Sequence, residues 1–452
     1  MINFEKNYKY HITAFIVGIF LALISISYLF ITDIKLIPEH RDILPLPHIE
    51  STSVKISHVW VPYGSYSTFE FVARNYINYF ILLFSSSAEI YVRLFFILNF
   101  FIMFFIPYIS FFYLFKSFLG YKGKVSYFIS LVIAFIYSFN PYVIQVYSPP
   151  HTYVFAYSLL PAVIASTFNF LRSSNLKSKI LLSLLITLAI TPIIRYIIFS
   201  SILIFTTILV YIIFYNRTFS FLKEIIKKYI FLFVLFLLFN IYWLMPTISS
   251  FGSKTIAPSY VLSYETTSMF SAAYKPAGIL ALKASWWPYL PLEPLPFISE
   301  TIFHIILFLT PILAFGSLFL FKRYNKEEKF LVMVGVLILL LGVFLWKGLP
   351  NFNPSLSKIY ELLLFSTPAS VGWMFRVPGI FGTLVVLGFS LSIAALLGYL
   401  LKGRYIKLGI ILCILVMLSS CIIGWQRFTG DLDGILRKGY YFEDREHYDR
   451  AP

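Results

Sequence analysis

Charged side chains are sparse in this chain, so those lying beside an apolar run are informative about chemistry. Asp33 and Asp42 follow the first such run, Asp42 within "EHRDILPLPHIESTSVKISHVWVPYG", residues 39–64. A carboxylate held where membrane meets water can accept a proton from a hydroxyl, provided its position and pKa suit the task. The two prolines of "ILPLP" restrict the backbone after Asp42 and give the loop a shape. Trp60 follows in a "W-x-P-x-G" pattern. Read alone, each acid fits a solvated loop better than it fits a general base. His40, His48 and His58 are irregularly spaced, which suits solvated histidines better than a metal site.

Two arginines also stand at the ends of apolar runs, Arg195 in "ITPIIRYIIF" and Arg376 in "VGWMFRVPGIFG". Guanidinium groups there suit a phosphate or pyrophosphate, which they bind through paired hydrogen bonds. The competing role is snorkelling to lipid headgroups. "KASWWPYLPLEPLP", residues 283–296, is denser in aromatics than an interfacial belt requires. Trp286 and Trp287 can stack on a sugar's apolar face while Glu293 bonds its hydroxyls, or all three can serve as an ordinary interfacial anchor. His151, in "NPYVIQVYSPPHTY", reads as part of a tight hairpin facing the same side, either lining a cavity or simply turning the chain.

The elements that must position these residues are membrane spans. The 452 residues are 59% hydrophobic, 20% aromatic and 12% charged, against about 25% charge in soluble domains. Runs of roughly 20 apolar residues, the length that crosses a bilayer, recur throughout. They predict about eleven crossings, near 10–32, 89–115, 125–147, 152–171, 180–191, 195–214, 228–248, 301–321, 330–346, 378–401 and 408–425. The fifth is short, broken by Thr191-Pro192, and reads as a half-helix. The fold class expected is therefore an all-α polytopic membrane domain over 1–425, with outer loops 33–88, 249–300 and 347–377 and an outer tail 426–452. The first run is too long for a signal-peptide core and lacks a cleavage site, so it reads as a retained anchor.

Charge sets the orientation. With the N-terminus inside, the segments between spans on that side, with Lys228 at a helix end, hold 19 Lys/Arg against four acids; the rest of the chain holds 17 against 16. The net charge of +16 thus sits almost wholly on one side. That is the positive-inside pattern of a multi-pass plasma-membrane protein, and it reports topology rather than a nucleic-acid partner. The inner loops carry no phosphate-cradling or dinucleotide fingerprint and no H-E-x-x-H. Chemistry on the outer face has no direct nucleotide supply, so it must draw on an activated lipid or a membrane potential. Cys413 and Cys421 share one predicted helix about 12 Å apart along its axis, too far to bridge.

The order of these features resembles the polytopic glycosyltransferases of the GT-C class, closest to the family of arabinofuranosyltransferase-like and YfhO-like membrane proteins. The resemblance rests on "RDILPLP…HVWVPYG", on "LVIAFIYSFNPYVIQVYSPPHTYVFAYSLLP", on "LAITPIIRY" and on "WMFRVPGIFGTL". It implies transfer of a sugar from a polyprenyl-phosphate donor to an outer-face glycan, lipid or protein acceptor, with inversion. It implies an Asp base in the first outer segment, matched best by Asp42 and next by Asp33, and a leaving phosphate held by Arg195 and Arg376. Val377 stands where the family carries an acid between arginine and proline, which weakens an ion-pair role there. Members often continue into a further outer domain, of which 426–452 reads as a start. Some members of the class use a divalent metal, Mg or Mn, and others none; no dedicated metal cluster is visible in the sequence. The rival readings are a transporter or flippase for lipid-linked sugars, which needs polar groups near midplane, and a non-catalytic envelope-assembly protein.

Overall fold

In the computed structural model, the residues described are 8–25, 27, 84, 88–147, 153–173, 175–190, 196–215, 219–251, 267–268, 271, 274–283, 294–365, 375 and 378–425. Among them every regular element is helical. The longer helices are α1 (Tyr8–Ser25), α2 (Ala88–Tyr113), α3 (Gly123–Ser138), α4 (Pro141–Tyr147), α5 (Tyr153–Ser173), α6 (Leu176–Ile190), α7 (Tyr196–Tyr215) and α8 (Phe219–Phe251). They continue with α9 (Pro276–Leu280), α10 (Glu300–Phe319), α11 (Lys326–Lys347), α12 (Pro354–Phe365), α13 (Gly382–Lys402) and α14 (Ile406–Ile423). Eight stretches are long and apolar enough to cross a membrane: α1, Arg93–Phe118, α5, α7, α10, α11, Pro378–Lys402 and α14. Their outward faces are greasy. Ile16, Phe20, Phe205, Ile312, Phe319, Ile411 and Leu418 are all exposed, a surface that suits acyl chains and not water. Among the described residues the fold is all-helical, and these eight apolar stretches make the chain a multi-pass membrane protein.

α13 is the axis of the bundle. It is apolar all round, which places a helix inside rather than at a lipid face, and every residue except Tyr399 and Lys402 is buried. α11 packs along it most extensively, and α10, α3 and α14 complete the enclosure. Association in lipid depends on close packing, because the acyl chains are as apolar as the helices themselves. Small residues supply that closeness. A Cβ on Gly388 would stand 2.7 Å from the Gly335 carbonyl oxygen and 2.8 Å from the Leu339 nitrogen, so the two backbones touch where both helices carry glycine.

The predicted third crossing is not one helix. α3 ends at Ser138, and α4 restarts at Pro141 after a break at Phe139-Asn140, so the first half of the stretch expected as a hairpin is a short helix, and residues 148–152 of it lie outside the described residues. The cause is local. Asn140 caps α4, its Oδ1 accepting from the Val143 N–H at 3.0 Å, and Pro141 sits at the start of the new helix, where its missing N–H costs least. The short fifth element is α6, and the predicted seventh lies within the single long helix α8. Residues 426–452 lie outside the described residues.

Three prolines interrupt the packed trio α2, α3 and α5: Pro107 inside α2, Pro161 inside α5, and Pro141 just beyond α3. Proline has no N–H, so the carbonyl four residues earlier loses its helical donor, and a lipid interior offers no replacement. Those carbonyls belong to Met103, Tyr157 and Tyr137, and each is met by a hydroxyl from a neighbouring helix. The Ser138 hydroxyl donates to the Met103 carbonyl at 2.8 Å. The Tyr137 phenol donates to Tyr157 at 2.8 Å, and the Tyr157 phenol donates to Tyr137 at 2.7 Å. The two rings stack with centroids 4.2 Å apart.

The helix ends sort into two sets. At one end the turns carrying Lys116–Lys124, Arg172, Lys322–Lys329 and Lys402–Lys407 meet. Arg172 donates to the Ser117 carbonyl and lies 4.0 Å from Glu327, and Lys326 covers the Tyr215 ring. Glu328 is buried and accepts from the Tyr121 phenol at 2.9 Å and from Lys402 at 3.4 Å, while capping α11 together with Asn325. The Tyr121 ring lies directly on Gly398, where a Cβ would stand 2.1 Å from the phenol oxygen. Burial first, and then the Glu328 charge, push that phenol well above its ordinary pKa. These are segments that the charge count assigns to a common side, and they share one end of the bundle.

Candidate functional site

The residues singled out for chemistry, Asp33, Asp42, Trp60, His151, Arg195, Trp286, Trp287, Glu293 and Arg376, lie outside the described residues. The structure describes the frame from which their segments issue, and that frame is the end of the bundle opposite the Glu328 cluster.

Two parts of this frame bear directly on the arginines. Tyr196, next in sequence to Arg195, is fully buried at the start of α7 and meets Phe199 edge to face at 4.8 Å. Phe199 meets Phe381 at 5.3 Å in the same manner. Phe381 in turn stacks on Phe375, the residue before Arg376, at 5.7 Å and 18°. One unbroken aromatic run therefore joins the covalent neighbours of Arg195 and Arg376, although those two arginines stand 181 positions apart along the chain. Edge-to-face and offset stacked rings at these distances add about 0.5–1.5 kcal/mol per pair beyond their area. The Tyr360 phenol fastens the far end of the run, donating to the Phe375 carbonyl at 2.7 Å. That phenol is wholly enclosed, and burial drives its pKa well above the ordinary value.

α4 supports the same region. Tyr142 donates to the Ile380 carbonyl at 3.0 Å and lies 3.2 Å from the Thr383 hydroxyl. Its ring occupies the space a Cβ on Gly382 would need, 2.4 Å away, and meets Trp346 edge to face at 5.3 Å. Behind it, Ile144 of α4 packs with Ala281, with Phe303 and Leu307 of α10, and with Ile423 of α14. The Leu349 N–H donates to the Ser271 hydroxyl at 3.0 Å, tying the end of α11 to the segment before α9. The segments that lead to His151 from α4, to Arg195 and Arg376 at the aromatic run, and to Trp286 beyond Lys283 thus leave from one end of the bundle. α1 runs antiparallel to α2, with Tyr10 beside Tyr108 and Phe15 beside Phe101, so its Ser25 end, which leads to Asp33 and Asp42, points the same way.

Among the described residues, no group of three or more His, Cys, Asp or Glu is placed to hold a metal ion. Cys413 and Cys421 are both free thiols on α14. What sequence reasoning missed is the paired motif "YSFNP" and "YSLLP", Tyr137 to Pro141 and Tyr157 to Pro161, in which each tyrosine repairs the carbonyl that the other's proline orphans. The repeat of Y-S-x-x-P was the available signal.

No protein-family model matches the chain, and no curated protein matches it.

Proposed function

We propose that the chain is a GT-C-type membrane glycosyltransferase that moves a sugar from a polyprenyl-phosphate donor to a glycan, lipid or protein acceptor on the outer face. In this reading Asp42, or Asp33 in its place, accepts the acceptor hydroxyl's proton as that oxygen attacks the anomeric carbon. The phosphate leaves from the opposite side of the sugar, so the configuration inverts. Arg195 and Arg376 neutralise the leaving phosphate, whose charge grows as the bond breaks. Trp60, His151, Trp286, Trp287 and Glu293 bind sugar and acceptor. The topology that goes with this reading has about eleven membrane-embedded segments. The broken pair α3–α4, the short α6 and the long α8 are added to the eight full spans, and the N-terminus and the basic end are cytoplasmic.

The observation that supports it is the aromatic run from Tyr196 to Phe375, which couples the two segments assigned to the leaving phosphate. The transporter alternative asks broken helices to present free carbonyls to a cargo. The carbonyls freed by Pro107, Pro141 and Pro161 are instead occupied by hydroxyls, which favours the transferase reading.

The test is incubation of membranes containing the chain with labelled polyprenyl-phosphate sugars, comparing wild type with Asp42→Asn and Asp33→Asn. Loss of a catalytic base lowers transfer by about 10²–10⁴-fold in one of the two variants. Unchanged transfer in both would sink the base assignment, and no transfer by wild type from any such donor would leave the assembly-protein reading.

A further inference from the structure

At the basic end of the bundle two arginines converge with no acid between them. Arg323 closes the turn after α10, and Arg404 and Tyr405 form the turn between α13 and α14. The Arg404 guanidinium donates to the Tyr405 hydroxyl and lies 4.8 Å from that ring's centre. Arg323, on the neighbouring turn, is near enough for its charge to act on the same phenol. The acids of the adjoining turn are engaged elsewhere, Glu327 with Arg172 and Glu328 with Lys402 and Tyr121. Among the described residues neither Arg323 nor Arg404 has a carboxylate partner. Two guanidiniums gathered around one phenol repel each other, and an anion between them offsets that repulsion while accepting their free N–H groups.

The surroundings select the kind of anion. α10 and α14 pack against each other, and directly below the two turns their outward faces are wholly apolar: Phe319, Phe315 and Ile312 on α10, Ile406, Ile410 and Ile414 on α14. Phe319 is 90% exposed, the most exposed large apolar side chain among the described residues. A free anion has no use for that surface. A lipid does, because its chains can lie on it while its phosphate sits one turn above, at the depth of the arginines. Lys322 and Lys407, both exposed on the same two turns, add charge at the same level.

We propose that Arg323, Arg404 and Tyr405 form a site for the phosphate of an anionic lipid, whose acyl chains lie along the α10–α14 face. The site is at the end opposite the transferase frame and does not rest on that reading. The Tyr405 phenol, held below its ordinary pKa chiefly by the Arg404 hydrogen bond and further by the charge of Arg323, is in keeping with unneutralised cations there.

Native mass spectrometry of the purified full chain, with phosphatidylglycerol, phosphatidylcholine and inorganic phosphate as separate probes, tests this. Wild type should retain phosphatidylglycerol in preference to phosphatidylcholine, and an equal concentration of inorganic phosphate should not displace it. Arg323→Gln with Arg404→Gln should weaken retention about tenfold or more, since each cation near an anionic surface contributes roughly a factor of five. Lys122→Gln with Lys124→Gln, which removes the same charge from exposed residues elsewhere at that end, should change it by less than about twofold. Equal loss in the two double variants would reduce the effect to diffuse charge and overturn the proposal, as would unchanged retention in the arginine variant. Displacement by inorganic phosphate would assign the site to a free anion and overturn the lipid. Where the arginine double variant does not fold, Arg404→Lys, which keeps the charge but loses the planar fork, should show a partial loss, and full retention there would count against the site.

Discussion

Tyr137 and Tyr157 each donate a phenolic hydrogen bond to the other's backbone carbonyl, at 2.8 and 2.7 Å, across a stacked pair of rings. Both carbonyls lack their helical donor because Pro141 and Pro161 stand four residues on. The pair is therefore a mutual repair, and it fixes α3 to α5 at the point where α3 breaks. Replacing Tyr137 with Phe should lower stability by about 1–3 kcal/mol, the cost of leaving a buried acceptor short of a donor. Tyr157→Phe should cost less, because the Tyr137 carbonyl keeps the Asn140 amide at 2.9 Å. Pro161→Ala supplies the missing N–H and should recover part of the Tyr137→Phe loss. Thermal unfolding in detergent of the two singles and the double variant measures this; a double variant no better than Tyr137→Phe would refute the repair.

The contact between Gly388 and Gly335 makes a second prediction. Any side chain on Gly388 must force α11 and α13 apart, since its first carbon would meet backbone at 2.7 Å. Gly388→Ala should destabilise by about 1–3 kcal/mol and Gly388→Leu by more. Gly316→Ala, where no heavy atom of a neighbour comes within 4 Å, should be neutral or mildly stabilising through helix propensity. The melting temperatures of the three variants decide it, and equal effects at 388 and 316 would contradict the packing.

Glu328 joins α11 to α13 and to the turn before α3. Glu328→Ala strands Lys402, Tyr121 and the Asn325 N–H together, and truncating one partner of a buried pair costs about 3–5 kcal/mol. Lys402 is about a third exposed, so water screens part of that, and about 1–3 kcal/mol is expected here. Glu328→Gln keeps one acceptor oxygen, enough for either the Tyr121 phenol or the Asn325 N–H, and should fall between wild type and Glu328→Ala. The order of the three denaturation midpoints is the measurement.

Tyr121 gives a prediction in pH. Its phenol is held above its ordinary pKa in the folded chain, so its protonated state contributes stability fully below about pH 10 and loses it as pH rises further. Folded wild type and Tyr121→Phe should give the same tyrosinate absorbance between about pH 9 and 11. The denatured proteins should differ by one tyrosine. A difference in the folded proteins over that range would show Tyr121 to be accessible.

Much of the architecture was legible in the chain. Apolar runs of bilayer length marked the eight helices long and apolar enough to cross a membrane, seven of them to within about four residues at either end, because lipid requires a whole apolar segment for each crossing. The clustering of Lys and Arg marked which turns share an end, and Arg172, Glu327, Lys326, Glu328 and Lys402 do meet there. Less legible was the third crossing. Residues 125–147 carry no charge, and average hydropathy does not register that Asn140-Pro141 ends one helix and starts another. The candidate site was readable only as residue types at span ends.

The sequence by itself determined that this is a helical, multi-pass membrane protein with one basic end, since length, hydropathy and charge asymmetry act locally along the chain. Only the tertiary structure decided which helix is the axis, because α13 and α14 are similarly apolar and differ in what surrounds them. It also decided that Tyr196 and Phe375 belong to one aromatic run and that Tyr137 and Tyr157 repair each other. Those relations depend on contacts between residues far apart in sequence, set by the close approach of backbones at glycine and by the need to satisfy every polar group away from water.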